Sequence, residues 1–332
     1  MIYISVIFCI YIITITTFII GFDSVKEFNS KEKVPKTKFT IVIPFRNEAK
    51  NLPALLTSIE KLNYPTELFE YIFVDDGSTD DSCSIIKQFF ANTQIDIQIL
   101  KNIRNSNSPK KDAITTALKR NSREWIITTD ADCILPKMWL KTIDNFIQQN
   151  DSNMIVAPVT YISNDSLLHQ FQLLDFLSLQ ASTISGFGLQ KPFLCNGANL
   201  TYRKSVFEKL KGFDGNNSIA SGDDVFLLEK FIQHEASKIK YLKSKDAIVK
   251  TFPVNTLKEL IHQRVRWASK TTNYSLTFGK IIGVIVFCGN SIIVVSPLLV
   301  LFNVISFNSA ISYFLLKLFF DYILLKKTSR FY

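Results

Sequence analysis

The sequence lacks the glycine-rich loops that identify two large classes of nucleotide-binding protein. Neither G-x-G-x-x-G nor G-x-x-x-x-G-K-[ST] occurs in its 332 residues. The first pattern surrounds the pyrophosphate of a dinucleotide, and the second surrounds the phosphates of a P-loop nucleotide. The sequence therefore argues against both classes. A nucleotide pocket in this chain would be lined with carboxylates, and a metal ion would then have to neutralise a diphosphate.

Histidine and cysteine are scarce, and neither residue type is spaced for a metal site. The chain contains His169, His234, His262, Cys9, Cys83, Cys133, Cys195 and Cys288. Five scattered cysteines, an odd number, suit a reducing compartment better than a disulfide framework.

Signatures of nucleic-acid binding are also missing. The sequence has no zinc-finger spacing, no RNP-like motif and no basic helix of the kind that enters a groove. The formal net charge of +9 therefore points to a membrane surface or to phosphorylated substrates. We expect no nucleic-acid partner.

Apolar sequence is abundant, and its first long run is at the amino terminus. Residues 2–22 carry no charge, and about 20 such residues span a bilayer. The run has neither a basic start nor a small-residue cleavage site, so we expect 1–22 to be an uncleaved anchor. Lysines in the polar linker 23–37 place the following domain in the cytoplasm by the positive-inside rule.

Two more apolar stretches lie near the carboxyl terminus. We predict a transmembrane helix at 281–304 and a transmembrane or re-entrant helix at 308–325. The second stretch contains Lys317 and Asp321, which are spaced to pair on one helix face. The simplest topology has three spans, with the amino terminus outside and the catalytic domain at the cytoplasmic face of the cell membrane.

Between these stretches, β-forming runs alternate with helical ones. Strands are predicted at 38–44, 69–74, 95–100 and 125–129, with helices beginning near 52, at 82–90 and at 111–120. This alternation predicts an α/β fold with a mostly parallel sheet. Ligands bind such sheets at the carboxyl ends of the strands. The loops there carry Arg46, Glu48, Asp75, Asp76, Lys110, Asp130 and Asp132, and we expect them to meet along one crevice.

Asp130 and Asp132 follow the apolar run 125–129. In a strand this spacing would place both carboxylates on one side. Mg²⁺ or Mn²⁺ is held by one or two such carboxylates, and substrate phosphates complete its shell. The alternative is an Asx-rich turn after a strand.

Six stretches in order carry a resemblance to a known family. They are T-I-V-I-P-F-R-N-E (40–48), V-D-D-G-S-T-D (74–80), D-A-D (130–132), C-N-G-A-N-L-T-Y-R-K (195–204), S-G-D-D-V-F-L-L (221–228) and Q-R-V-R-W (263–267). Together they resemble the family-2 glycosyltransferases of the GT-A fold. The last stretch resembles the Q-x-x-R-W motif of the membrane-bound branch. The resemblance covers about 38–270 and implies a GT-A catalytic domain at 38–255.

The resemblance also implies roles for individual residues. Contacts to the nucleotide-sugar would come from Pro44, Arg46, Glu48, Asp75, Asp76, Lys110 and Asp130. Asp132, together with Asp130, would bind the metal ion, Mg²⁺ or Mn²⁺. Pro109 stands where the family has a glycine before the lysine.

A second group of implied roles concerns catalysis and the acceptor. Asp224 would be the general base, and the charge of its neighbour Asp223 would raise its pKa; alternatively, Asp223 caps the following helix. Contacts to the phosphates or the acceptor would come from Asn196, Gln263, Arg266 and Trp267. Arg266 and Trp267 lie on a predicted amphipathic helix, 256–270, whose alternative role is to rest at the membrane interface.

The sequence is consistent with two roles for one predicted apolar helix. The run 167–179 is typical of a core helix, but it also suits a helix that meets the acceptor at the membrane surface.

Three functions are consistent with this pattern. The first is an inverting glycosyltransferase that moves a sugar from a UDP-sugar to a lipid or lipid-linked acceptor at the cytoplasmic membrane face. The second is a processive polysaccharide synthase, motivated by Q-R-V-R-W. The third is an inactive membrane scaffold that binds nucleotide-sugars.

Overall fold

The computed structural model describes residues 2–30, 33–215, 222–271 and 274–332, with only the backbone at 270 and 271. Lys31 of the predicted linker and Ser221, which opens the S-G-D-D stretch, lie outside the described residues. The chain divides into two compact units. One unit, named the spanning unit for the candidate membrane spans in it, comprises Met1–Lys26, Leu174–Leu194 and Thr271–Tyr332. The other, the α/β unit, comprises Glu27–Leu173 and Cys195–Lys270.

The α/β unit is built on nine described strands. They are β1 (Phe39–Phe45), β2 (Phe69–Asp75), β3 (Asp96–Lys101), β4 (Trp125–Thr128), β5 (Met154–Val156), β6 (Val159–Tyr161), β7 (Leu200–Arg203), β8 (Ile239–Tyr241) and β9 (Val249–Thr251). Among the described residues, seven of them form one sheet in the order β3-β2-β1-β4-β7-β5-β8, and β6 pairs with β9. All neighbours in the large sheet are parallel except β7, which is antiparallel to β4 and β5. The predicted mostly parallel α/β sheet is confirmed.

Helices follow the strands as predicted. Seven described helices belong to the α/β unit, apart from the last residue of α9. They are α2 (Leu52–Glu60), α3 (Ser82–Phe90), α4 (Pro109–Leu118), α5 (Trp139–Ile147), α7 (Lys204–Lys209), α8 (Asp223–Glu235) and α9 (Leu257–Thr271). Helix α4 begins two residues before the predicted start because Pro109 fits a first turn, where no backbone N–H is needed.

Strand β4 ends earlier than the sequence predicted. Its last residue is Thr128, so Asp130 and Asp132 lie beyond the strand, in a loop and turn closed by Cys133 N donating to Asp130 O at 3.2 Å. Strand pleating therefore does not place both carboxylates on one side, and that prediction is wrong. A turn brings them close instead.

The segment predicted as a linker lies along the α/β unit. Phe28 N donates to Lys243 O at 2.7 Å, and Thr37 N donates to Asp144 Oδ1 at 3.0 Å. Gln148 Nε2 reaches Val34 O at 3.1 Å. These bonds fix described residues on both sides of 31–32 to the same body.

In the spanning unit, three described helices are long and apolar enough to cross a membrane: α1 (Ile2–Ser24), α10 (Thr277–Leu301) and α11 (Phe307–Phe331). Helix α11 continues six residues beyond the predicted 308–325. The predicted pairing of Lys317 with Asp321 is confirmed. Tyr11 OH also donates to Asp321 Oδ1 at 2.5 Å, so a polar contact joins the first helix to the last.

Helix α6 (Leu167–Gly188) is longer than the predicted 167–179, and its residues from Leu174 onward belong to the spanning unit. Its carboxyl end packs closely on α1. Ser185 Oγ donates to Phe18 O at 2.7 Å, and a Cβ added at Gly188 would lie 1.8 Å from Gly21 O. Small residues permit this approach. The structure thus groups this half of α6 with the candidate spans.

We expect Asn199→Ala to destabilise the α/β unit. The buried Asn199 side chain donates to Pro158 O and Ala247 O at 2.8 Å each and accepts from Trp139 Nε1 at 3.0 Å. Losing these bonds leaves the buried Ala247 O and Trp139 Nε1 without this partner, and Pro158 O keeps only its bond from Val249 N. We expect a cost of about 3 kcal/mol. Thermal unfolding of the purified protein measures this. The exposed Asn63, changed to Ala, is the control, and equal melting temperatures for the two variants would contradict the prediction.

Candidate active site

The loops after β1 and β2 lock together through Asn47. Its backbone is left-handed, with φ of 55°, a conformation that asparagine tolerates better than most residues. Asn47 N donates to Ser78 Oγ at 3.0 Å, and Asn47 Oδ1 accepts from Thr79 N at 2.8 Å. Glu48 N donates to Ser82 Oγ at 2.8 Å. These bonds place Glu48 beside the β2 loop. The sequence did not mark Asn47 as a site residue.

The predicted carboxylates after β2 already have partners. Asp75 Oδ1 accepts from Ser78 N at 2.8 Å. Asp76 accepts from Arg104 Nε at 2.7 Å and from Asn102 Nδ2 at 2.7 Å. Partial burial raises the pKa of Asp76, but the bonds from Arg104 and Asn102 outweigh it and leave that pKa below its ordinary value.

Arg104 and Asn102 are therefore site residues that the sequence analysis missed. They lie in the loop after β3, and no motif marks them. Pro44 and Arg46, which the sequence did single out, lie at the end of β1 and just beyond it, and Arg46 is exposed. The charge of Arg46 also lowers the pKa of Asp76. The ends of β1, β2 and β3 thus share one charged edge.

Three carboxylates influence one another where β1 and β4 end. Burial raises the pKa of Glu48, a bond from Asn51 opposes the rise, and the charges of Asp132 and Asp130 add to it. Burial also raises the pKa of Asp132, and the charge of Asp130 adds to that rise. Thr251 Oγ1 donates to Asp132 Oδ2 at 3.1 Å. The structure brings the predicted loops together as an acidic cluster, Glu48, Asp130 and Asp132.

Lys110 joins this acidic cluster to the start of α8. Its Nζ lies 2.5 Å from Asp130 Oδ1 and 3.5 Å from Asp223 Oδ2. Burial lowers the pKa of Lys110, but the charges of Asp130, Asp223 and Asp224 outweigh it and raise that pKa above its ordinary value. Lys110 also lowers the pKa of Asp132. One ammonium group therefore lies within electrostatic range of both predicted acidic motifs.

Asp224 is held by two backbone N–H groups. Its Oδ1 accepts from Val225 N at 2.8 Å and its Oδ2 from Gly197 N at 3.3 Å. Asp223 is not the helix cap that one interpretation made it. Gly222 takes that position with φ of 81°, which glycine adopts without strain, and Asp223 is the first helical residue.

Gly197, within the stretch 195–204, is a further site residue that the sequence did not single out. A Cβ on it would lie 3.1 Å from Asp223 Oδ2 and 3.4 Å from Lys110 Nζ. Its carbonyl accepts from Thr128 Oγ1 at 2.8 Å, at the end of β4. The side chain of its neighbour Asn196, a predicted acceptor contact, accepts a hydrogen bond from Ala198 N at 2.9 Å. This bond stabilises the turn in which Asn196 lies. Only a residue without a side chain fits here undisturbed.

The remaining predicted residues lie on α9. Trp267 packs against Arg264, whose Cζ is 4.3 Å from the ring centroid, and Arg264 Nη1 donates to Gln263 Oε1 at 2.9 Å. Arg266 is exposed. In the part of the chain that the structure describes, no hydrogen bond or ion pair joins Gln263, Arg266 or Trp267 to the acidic cluster.

The apolar side chains of α9, the helix predicted to be amphipathic, are largely exposed. Leu257, Ile261 and Val265, spaced four residues apart, are 61%, 53% and 63% exposed, whereas Leu260 is buried. This face has the pattern of a helix that contacts an apolar environment.

The acidic cluster has the donor atoms to hold a divalent ion whose coordination shell is completed by other ligands. Asp130 and Asp132 supply hard oxygen donors, which is the chemistry that Mg²⁺ and Mn²⁺ require. Among the described residues, no three acidic, histidine or cysteine side chains form a ready-made metal cage. A cation at this site would therefore take its further ligands from a bound phosphate or from water.

Comparison with known proteins places this arrangement in a family. The family described as "Glycosyl transferase family 2" matches residues 40–211, more than half of the chain. Poly(ribitol-phosphate) beta-N-acetylglucosaminyltransferase TarS of Staphylococcus aureus is 29% identical over 119 residues, which are 36% of this chain and 20% of TarS. The undecaprenyl-phosphate 4-deoxy-4-formamido-L-arabinose transferase of Yersinia pestis is 39% identical over 101 residues, 30% of each chain.

A crystal structure of S. aureus TarS 1-349 superposes with a TM-score of 0.49 and 20% sequence identity, covering 65% of this chain and 60% of that one. The chain spans less than two thirds of the length of each of these relatives. The residues matched by the family nevertheless include β1 to β7 and the loops that carry the acidic cluster. The protein therefore belongs to glycosyl transferase family 2 and has a GT-A type of α/β fold.

Proposed function

We propose that the protein is a metal-dependent, inverting glycosyltransferase that moves a sugar from a UDP-sugar to a lipid or lipid-linked acceptor. One observation carries the proposal. Lys110 bridges Asp130 of the D-A-D loop and Asp223 beside Asp224. The loop suited to bind the leaving diphosphate and the carboxylate suited to act as general base therefore lie around one ammonium group.

The edge formed by β1, β2 and β3 suits the nucleoside part of the donor. Carboxylates and amides there accept and donate hydrogen bonds at fixed positions, as recognition of uracil and ribose hydroxyls requires. Glu48 is held beside Ser82, and Asp76 fixes the guanidinium of Arg104. Arg104 is half-exposed, so the planar face of its guanidinium group is accessible to the nucleobase of the donor.

The leaving group is a diphosphate, and its charge must be offset as the bond to the sugar breaks. Asp132 and Asp130 would hold Mg²⁺ or Mn²⁺, which supplies that compensation when bound. Lys110 adds a second positive charge beside the same loop. Asp132 keeps a bond from Thr251, which orients one of its oxygens.

Asp224 is the proposed general base. It would accept the proton of the acceptor hydroxyl as that oxygen attacks the sugar from the side opposite the diphosphate, which inverts the anomeric centre. The N–H groups of Gly197 and Val225 orient both carboxylate oxygens. A base that is oriented in advance loses little freedom at the moment of attack.

A lipid-linked acceptor is supported by the apolar parts of the chain. Three described helices have the length and composition of membrane spans, and the stripe Leu257, Ile261 and Val265 is exposed. One relative is named as an undecaprenyl-phosphate sugar transferase. Lysines after α1 favour a catalytic domain on the cytoplasmic side of the membrane.

The test is a donor screen with the protein in its membrane. Incubation with a panel of UDP-sugars, a divalent ion and a lipid extract should release UDP and add one sugar mass to a lipid. A ladder of long products on a sizing gel would favour processive synthesis instead. Tight UDP binding without transfer to any acceptor would favour the inactive scaffold and contradict the proposal.

We expect Asp132→Asn to lower transfer at least about 100-fold, because it removes a charged ligand of the proposed ion. Removing divalent ions from the wild-type protein with EDTA should have a similar effect, and adding Mn²⁺ should reverse it. Asp151→Asn, at a side chain that is 75% exposed, is the matched control. Transfer by Asp132→Asn at the control rate would rule out this role.

Gly197→Ala should lower kcat by about 10- to 100-fold while leaving the KM for the donor nearly unchanged. The added methyl group crowds Asp223 Oδ2 and contacts Lys110 Nζ, and a displacement of less than an ångström is costly near a reacting centre. Steady-state kinetics measure both constants. Gly283→Ala, where an added Cβ meets nothing within 4 Å, is the control. A kcat equal to that of this control would show that the close fit at Gly197 does not affect the arrangement of the base.

A further inference from the structure

Lys110 occupies a position that a metal ion would contest. Its ammonium group contacts Asp130 Oδ1 at 2.5 Å and faces Asp223 Oδ2 at 3.5 Å, while its side chain is 30% exposed. Asp130 is one of the two carboxylates proposed to bind the divalent ion. Asp132, the other, is held by Thr251 rather than by Lys110. The two cations therefore share one ligand and not the other.

The charges around this lysine are unbalanced. Asp130, Asp223 and Asp224 raise its pKa, and Glu48 and Asp132 lie in range of Asp130. One ammonium group offsets part of this negative charge in the described site. A divalent ion beside Asp130 would be repelled by the ammonium unless the lysine moved or gained a new partner.

Lysine is suited to such an exchange. Its ammonium is a point charge on a flexible four-carbon stem, so it can leave one oxygen for another without losing a fixed geometry. Asp223 is distant from the D-A-D loop in sequence, and it would remain in contact with the ammonium when Asp130 is released. A diphosphate would supply further oxygens for the same group.

We propose that Lys110 is an internal counter-ion that competes with the divalent ion for Asp130, so that the ion binds tightly only together with a nucleotide diphosphate. The inference rests on the proposed function, because it assumes that Asp130 and Asp132 hold the ion. Without nucleotide, the ammonium keeps Asp130. With nucleotide, the phosphates receive the ammonium and also complete the coordination shell of the ion. Metal and donor therefore bind with positive coupling.

The experiment measures Mn²⁺ binding to the full-length, detergent-purified protein by the loss of the free-ion EPR signal, with and without UDP. For the wild type, UDP should tighten Mn²⁺ binding by about tenfold or more. Lys110→Met should bind Mn²⁺ without UDP about tenfold more tightly than the wild type does, because its competitor is gone. Lys110→Arg, which keeps the charge, should resemble the wild type.

Lys119→Met is the matched control, since Lys119 is exposed at the other end of α4, and it should bind Mn²⁺ as the wild type does. Melting temperatures show whether each variant is folded, and Lys110→Gln replaces the Met variant if that one is not. Unchanged UDP-free binding in the neutral variant, with UDP-dependent binding intact in the wild type, overturns this inference alone. Absence of Mn²⁺ binding in every sample overturns the proposed metal dependence, and this inference with it.

Discussion

Concentrated negative charge at the carboxyl edge of the parallel sheet is the constraint on which the site depends. The carboxyl ends of parallel strands lie at one edge of the sheet, so the acidic loops that follow β1, β2 and β4 lie close together. The charge of Asp130 raises the pKa of Asp132, and both raise that of Glu48. Lys110 offsets part of this charge from α4. A site with such an excess of negative charge favours a cationic ligand.

Backbone N–H groups hold Asp224, the proposed general base. Gly197 N and Val225 N donate to the two oxygens of Asp224, and Thr128 holds the carbonyl of Gly197. Asn199, two residues further along, is buried and bonded to three separate segments. This short turn therefore ties the end of β4 to the start of α8. Backbone donors in a packed turn cost little reorganisation during a reaction.

Polar contacts and close packing of glycines join the helices of the spanning unit. Tyr11, Lys317 and Asp321 form a polar cluster between the first and last described helices. Polar groups in apolar surroundings need such partners. Gly21 and Gly188 allow α1 and the carboxyl half of α6 to approach at backbone distance. The segment 174–194 thus packs with the candidate spans although it lies inside the sequence limits 38–255 of the predicted catalytic domain.

The sequence by itself determined the alternation of strands and helices, the sheet edge that carries the acidic loops, and the three long apolar helices, because these follow from local periodicity and composition. It did not determine where β4 ends, that Gly222 rather than Asp223 precedes α8, or that Asn47, Arg104 and Gly197 build the site. Those features depend on hydrogen bonds between residues far apart in the chain. Only the tertiary structure decided them, because a single residue's conformation or partner is set by what packs against it.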